Sequence, residues 1–229
     1  MSQQSGDGEE PNPTGRTDET AVSATWFDES ILERSRPSGV PDVGAVVLAA
    51  GEGRRFEGGY KLLEPVDGEP MIVRAVGLLL ESCLPEVTVV VGHREAAVRD
   101  ALADLDVEII TNEDWPEGQS TSLRRGVERA REGDWAATVF GLGDMPFVRP
   151  ETVDLLVEGY LEDLGGIVAP ASDGSRGNPT LFGSEYYEDL AAVTGDTGGR
   201  PVLWSAEDIA VIETEDPGVL RDVDVREDL

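Results

Sequence analysis

Residues 44–63 read GAVVLAAGEGRRFEGGYKLL, and the fold follows from how this stretch begins. GAVVLAA (44–50) is apolar throughout and runs directly into a glycine-rich turn. A strand apolar on both faces must be covered on both faces, as in a parallel sheet between helices. Runs of the same kind recur outward from it: EVTVVVG (86–92), VEII (107–110), ATVFGLG (137–143), GIVAP (166–170), DIAVIE (208–213) and LRDVDV (220–225). Helical-period stretches lie between most of them, at 70–83, 94–105, 120–131, 151–161 and 184–192. Buried strands alternating with amphipathic helices predict a three-layer α/β/α sandwich around a Rossmann-like, mainly parallel sheet. No repeat of solenoid period is visible. In such sheets ligands sit at the carboxyl ends of the strands.

Composition narrows the function classes. The 229 residues are 39% hydrophobic, enough for a packed core. Their longest nearly apolar run, 43–51, is far short of the ~20 residues of a membrane-spanning helix. The opening MSQQSGDGEE has neither the basic start nor the apolar stretch of a signal peptide, so the expected compartment is the cytoplasm. A single cysteine, Cys83, excludes an internal disulfide and any multi-cysteine metal site. Asp plus Glu number 47 against 18 Lys plus Arg, a formal charge of −29. Such a surface repels nucleic acid and anionic lipid, so neither is an expected partner. The spread of acid along the chain, with Arg replacing Lys, resembles proteins of halophilic organisms that accumulate salt.

Residues 1–40 are rich in Ser, Gly, Pro, Thr and acid, and predict a flexible acidic tail before a domain at 41–229. An apolar island in the tail (Trp26, Phe27, Ile31, Leu32) predicts one docked helical turn over 28–34, with 37–41 as the linker.

The turn at 51–61 holds four glycines and three bases in an otherwise acidic chain. Glycines admit positive φ and let backbone N–H groups approach an anion, and the bases add charge. An ordinary βα turn with exposed bases is the plain alternative. Against it stands Lys61, the only lysine of the chain. A sequence that has replaced lysine elsewhere yet keeps one beside a glycine loop needs an ammonium there. No Walker-type Gly-Lys-Ser/Thr spacing is present, and Phe56 stands where a dinucleotide fingerprint needs its third glycine.

LAAGEGRRFEGGYKLLEPVDGEPMI (48–72) resembles the opening signature of the MobA-like nucleotidyltransferases, in particular the molybdenum cofactor cytidylyltransferase branch. Leu48, Ala49, Ala50, Gly51, Arg55 and Lys61-Leu62-Leu63 fall on its fixed positions, while Gly53 replaces a frequent serine. The resemblance implies a fold of the nucleotide-diphospho-sugar transferase type. It also implies a loop wrapped round a nucleoside triphosphate, with Arg55 and Lys61 on the phosphates. The Ala-Ala-Gly opening is similar to the cytidine-using members.

Further segments carry the resemblance in order. NEDWPEGQSTSL (112–123) opens a helix, where Ser120 is a natural N-cap. The family has a similar stretch, which implies that Asn112, Gly118 and Ser122 border the nucleotide. FGLGDMPF (140–147) puts Asp144 at a strand end, where an isolated acid is usually a turn or cap residue. A carboxylate there is also where Mg²⁺ meets a triphosphate, needing only one or two protein ligands. The Gly-Asp-Met-Pro hallmark implies that Asp144 is the prime metal ligand. The ending LRDVDVREDL (220–229) is similar to the family's Asp-Ile-Asp-Thr-Pro-Glu-Asp-Leu, with Arg226 in place of the proline. Read as a strand, it points Asp222 and Asp224 to one face. The resemblance implies Asp224 as second metal ligand and Asp222 as its support. Two stretches that would otherwise pass for turns, SRGNP (175–179) and GDTGGR (195–200), are implied to face the acceptor, through Arg176, Asn178 and Arg200. His93 reads as a loop or helix-start residue, Cys83 as a small core residue, Trp115 as packing or base-pocket wall, and Trp135 and Trp204 as structural.

The implied reaction transfers CMP from CTP to the phosphate of molybdopterin, with Mg²⁺ as cofactor, pyrophosphate as by-product and a molybdoenzyme as a candidate recipient. A sister enzyme using GTP or another phosphorylated acceptor, a non-catalytic cofactor-binding maturation factor, and an NAD-dependent oxidoreductase are the competing readings.

Overall fold

The computed structural model describes residues 24–32, 42–54, 56 and 59–229. The strands are β1 (Thr25–Asp28), β2 (Val43–Ala49), a short ribbon of β3 (Pro65–Val66) with β4 (Glu69–Pro70), β5 (Val87–Val91), β6 (Glu108–Thr111), β7 (Ala137–Leu142), β8 (Ile167–Ser172), β9 (Ser175–Arg176), β10 (Thr180–Gly183) and β11 (Ile209–Glu213). The helices are α1 (Met71–Leu80), α2 (Glu95–Ala101), α3 (Gln119–Glu132), α4 (Pro150–Leu161), α5 (Tyr187–Ala192) and α6 (Arg200–Ser205). The main sheet runs β1-β11-β8-β10-β7-β2-β5-β6, with β9 paired to β8. Its path is parallel except at β10, which lies antiparallel between β7 and β8.

The period of two in β2 sorts its side chains into two cores. Val43, Ala45, Val47 and Ala49 pack with Met71, Ile72, Val76 and Leu79 of α1, Val98 of α2 and Val153, Leu156 and Val157 of α4. Val46 and Leu48 pack in the second core, with Leu123, Val127 and Ala130 of α3, Leu190 of α5 and Val202 and Leu203 of α6. Helices therefore cover both faces, and the strands were apolar throughout for that reason. α3 lies so close to the sheet that a Cβ on Gly126 would stand 2.7 Å from Val46 Cγ1.

Three local expectations are corrected. The island near residue 26 forms the edge strand β1, parallel to β11, followed by a 3-10 turn at Glu29–Ile31. Neighbouring β11 offers Trp26 and Phe27 a ladder that an isolated helical turn could not supply. The reading of a linker at 37–41 lies outside the described residues, as do residues 1–23 of the tail. The stretch 220–225 is not a strand. A 3-10 turn at Pro217–Leu220 leads into it and another at Arg226–Asp228 follows. Its donors are spent elsewhere: Val223 N–H on the Asp144 carbonyl at 2.9 Å, and Asp224 and Val225 N–H on Asp228 Oδ2 at 2.8 and 2.9 Å. Finally, β10 and α6 were not foreseen, although Pro201 in the first turn of α6 is a usual helix-start signal.

Among the described residues no helix is long and apolar enough to cross a membrane.

Candidate active site

At the carboxyl end of β2 the chain leaves the sheet at Ala50 and returns as a 3-10 turn, Lys61–Leu63. Gly53, at φ +63, makes the reversal, and a Cβ there would stand 3.0 Å from Lys61 Cβ. The turn is braced from behind. Ala50 accepts the His93 N–H at 3.0 Å, and the Tyr60 hydroxyl donates to the carbonyls of His93 (3.0 Å) and Gly51 (3.3 Å). Burial pushes the Tyr60 phenol up to about 12, so it stays a neutral donor at ordinary pH. His93 is held edge-on between Tyr60 and Trp115, at centroid distances of 5.4 and 5.1 Å, which is a packing role.

The result is to present one ammonium to two acids. Lys61 Nζ lies 2.7 Å from Asp144 Oδ2 and 3.1 Å from Asp224 Oδ1. The side chains of the acids are 26% and 28% exposed and that of Lys61 only 7%, so the lysine comes from beneath and the carboxylates keep a solvent face. Asp144 stands just past β7, and the Gly143 N–H donates to the Leu48 carbonyl at 3.1 Å, tying this corner to β2. Asp224 arrives on the C-terminal turn, not on a strand. Asp228 fixes that turn, and the Val225 and Asp224 N–H groups it accepts hold its carboxyl below the usual carboxylate range. Arg226 pairs with Glu64 at 2.9 Å and lies over the Phe56 ring, so the residue in place of proline latches this turn to the glycine loop. Asp222 is exposed.

A cavity of about 350 Å³ opens above the ammonium, lined by Leu48, Ala49, Ala50, Gly51, Gly53, Lys61, Gly118, Ser122 and Asp144 among others. The N-terminus of α3 forms its far wall. Asn112 is buried behind this wall, its Nδ2 donating to Thr121 Oγ1 (2.8 Å) and Ser122 Oγ (3.0 Å), so it orients Ser122 rather than facing the cavity. Ser120 does not cap the helix. Gln119 N–H is met instead by Asp196 Oδ1 at 3.0 Å, and Ser120 N–H by the Gly195 carbonyl at 3.0 Å. Gly118 at φ +118 permits this approach, because a Cβ there would lie 2.9 Å from Asp196 Oδ1.

Arg55 lies outside the described residues; its neighbour Arg54 lines the cavity and pairs with Glu52. Tyr60, Gln119 and Asp196 also line it and were not singled out as site residues, and Trp115, read as packing or base-pocket wall, lines it too. Trp115 packs and lines at once, since a Cβ on Gly92 would stand 2.8 Å from it. Arg176, Asn178 and Arg200 do not line this cavity. Arg176 sits on β9, and Asn178 N–H donates to the Val219 carbonyl (2.9 Å), beside the turn leading to Asp224. Arg200 opens α6, just after the Asp196 loop. Trp204, expected to be structural, is 52% exposed. Trp135 is buried, and Cys83 packs on the edge of the core.

The donor set suits a divalent cation. Two carboxylates converge on one positive atom, and no cluster of three or more His, Cys, Asp or Glu able to hold a metal occurs among the described residues. A site with two protein oxygens fits Mg²⁺ or Mn²⁺ whose remaining positions are filled by phosphate and water.

A glycine loop, an ammonium and paired acids thus meet at the carboxyl edge of a mainly parallel sheet. The chain belongs to the family described as the MobA-like NTP transferase domain, whose profile matches residues 45–209. Among solved structures it is similar to a nucleotidyl transferase from Methanothermobacter thermautotroptrophicus (28% identity, TM-score 0.70, 81% of this chain and 93% of that one). It is also similar to Rv0371c of Mycobacterium tuberculosis H37Rv (25% identity, TM-score 0.73, 83% and 96%), a protein also crystallised in complex with manganese. The bifunctional protein GlmU of Symbiobacterium thermophilum is 30% identical over 122 residues, 53% of this chain and 26% of that protein. The chain spans about a quarter to a third of the length of such curated relatives.

Proposed function

We propose that the chain transfers CMP from CTP to the terminal phosphate of molybdopterin, releasing pyrophosphate and forming molybdopterin cytosine dinucleotide. The observation that carries the reaction type is the meeting of Lys61 with Asp144 and Asp224 beside the glycine loop. The choice of CTP and molybdopterin rests on the sequence resemblance, above all Ala49-Ala50-Gly51 and the stretches around Arg176 and Arg200.

An oxygen of the acceptor phosphate attacks the α-phosphorus, and the bond to the bridging oxygen of the β-phosphate breaks. The nucleophile is already anionic near neutral pH, so no side-chain base is needed, and His93 is left to packing. What the chain supplies is placement and charge. Backbone N–H groups of the loop at 50–53 and the N-terminus of α3 face the triphosphate. Lys61 offsets the charge that builds on the departing pyrophosphate. Asp144 and Asp224 would hold Mg²⁺ or Mn²⁺, whose chemistry there is to neutralise phosphate oxygens. Arg176, Asn178 and Arg200 would bind the acceptor, and guanidinium groups suit its phosphate.

The test is pyrophosphate release by the purified full chain in high salt, with Mg²⁺, molybdopterin and a panel of CTP, GTP, ATP and UTP. Multiple turnovers with CTP support the proposal. Turnover with GTP would make the chain a sister enzyme, and binding without turnover a maturation factor. Release of no pyrophosphate and binding of no nucleotide would refute the site.

A further inference from the structure

We propose that Lys61 is the built-in counter-ion of the carboxylate pair, so that the divalent cation enters with the nucleoside triphosphate and not ahead of it. The inference rests on the reading of this cavity as a triphosphate site. One ammonium already satisfies both acids, at 2.7 and 3.1 Å. A dication approaching the solvent faces of Asp144 and Asp224 therefore meets a positive charge directly behind them. It is repelled by that charge and must share the two carboxylates with it.

A triphosphate changes the balance. The cavity above Lys61 is lined by the loop at 50–53 and the N-terminus of α3, and phosphate oxygens placed there give the ammonium a second partner. As it turns to them, the carboxylates are released to the cation that the triphosphate brings. Each ligand then raises the affinity of the other by the same factor. The side-chain type suits this task. A lysine carries a point charge on a rotatable stem, whereas the planar guanidinium of arginine would clamp a carboxylate bidentately. This is the single position of 18 basic residues at which the chain uses lysine. Gly53 makes room for the Lys61 stem, since a Cβ there would stand 3.0 Å from Lys61 Cβ and 3.4 Å from its Cδ.

The experiment measures binding rather than turnover. Mn²⁺ is titrated into the full chain, alone and with a non-hydrolysable CTP analogue, for the natural sequence and for Lys61→Met. The natural chain is expected to bind Mn²⁺ at least about tenfold more tightly with the analogue than without. Lys61→Met is expected to bind Mn²⁺ alone about tenfold more tightly than the natural chain, so that the analogue raises its Mn²⁺ affinity by a smaller factor. Equal affinity of the two chains for Mn²⁺ alone would overturn the proposal. Should the variant not fold, the natural chain still decides. Because it has one lysine, lysine labelled with ¹⁵N at Nζ reports a single side-chain signal. Mg²⁺ alone should leave that signal in place, and the analogue with Mg²⁺ should move it; an equal shift with Mg²⁺ alone refutes the idea. Failure of every nucleotide to bind would instead refute the triphosphate site itself.

Discussion

Asp196→Ala tests how the wall of the cavity is built. α3 has no capping side chain of its own; its first N–H, on Gln119, is met by a carboxylate 77 residues away in sequence. Loss of an N-cap acceptor costs about 1–2 kcal/mol, and the favourable field of an anion at a helix start is part of that figure. For a chain of this length each kcal/mol lowers the melting temperature by roughly 2–4 °C, so a fall of about 2–8 °C is expected. Asp196→Asn keeps an acceptor oxygen and should lose about half as much, with the difference narrowing in high salt as the charge term is screened. Circular dichroism melts of the three chains at low and high salt supply the numbers. Because Asp196 also lines the cavity, the Ala variant should raise the KM for nucleotide several-fold. An Asp196→Ala chain that melts with the natural one, within about 1 °C, would refute the cap and the coupling of the 195–199 loop to α3.

Lys61→Ala and Asp144→Ala should each lower turnover by about 10²–10³-fold while the fold persists, as seen by circular dichroism; normal turnover in either removes the assigned roles. Asp228→Ala frees the N–H groups that orient Asp224 and should weaken apparent Mg²⁺ affinity by about tenfold or more, with kcat recovered at saturating Mg²⁺. Burial pushes the Tyr187 phenol up to about 12, where it shares a hydrogen bond with Thr138 Oγ1 (2.6 Å) and donates to the Trp135 carbonyl (3.2 Å). Its folded value lies above the ordinary ~10, so its contribution to stability is full below pH 10 and disappears as pH rises toward 12. Melts between pH 8 and 12 should therefore decline for the natural chain and less steeply for Tyr187→Phe.

Much of the layer structure was legible because burial on both faces leaves a local mark. The runs at 44–50, 86–92 and 137–143 are apolar save for Glu86, Thr88 and Thr138, and they became the central strands β2, β5 and β7. β10 left no such mark. Four residues after a turn, Thr180–Gly183, carry no sign of direction, and only their insertion between β8 and β7 makes them antiparallel. The C-terminal stretch misled for the opposite reason. Its alternating pattern suits a strand, but Asp228 and the Asp144 carbonyl claim the N–H groups a ladder would need.

Local pattern thus determined the alternation of strands and helices, the glycine turn after β2 and the singular lysine at its end. Side-chain periodicity and composition act over a few residues, and a sequence displays them openly. The family resemblance implied that residues 61, 144 and 224 serve one site, and tertiary structure alone set the distances at which they meet, the capping of α3 by Asp196 rather than Ser120, and the place of Tyr60 in the cavity wall. Those contacts span 83 and 163 residues in the case of the lysine. They depend on strand order and on which backbone groups remain unpaired once the sheet is complete, and no short stretch of chain encodes either.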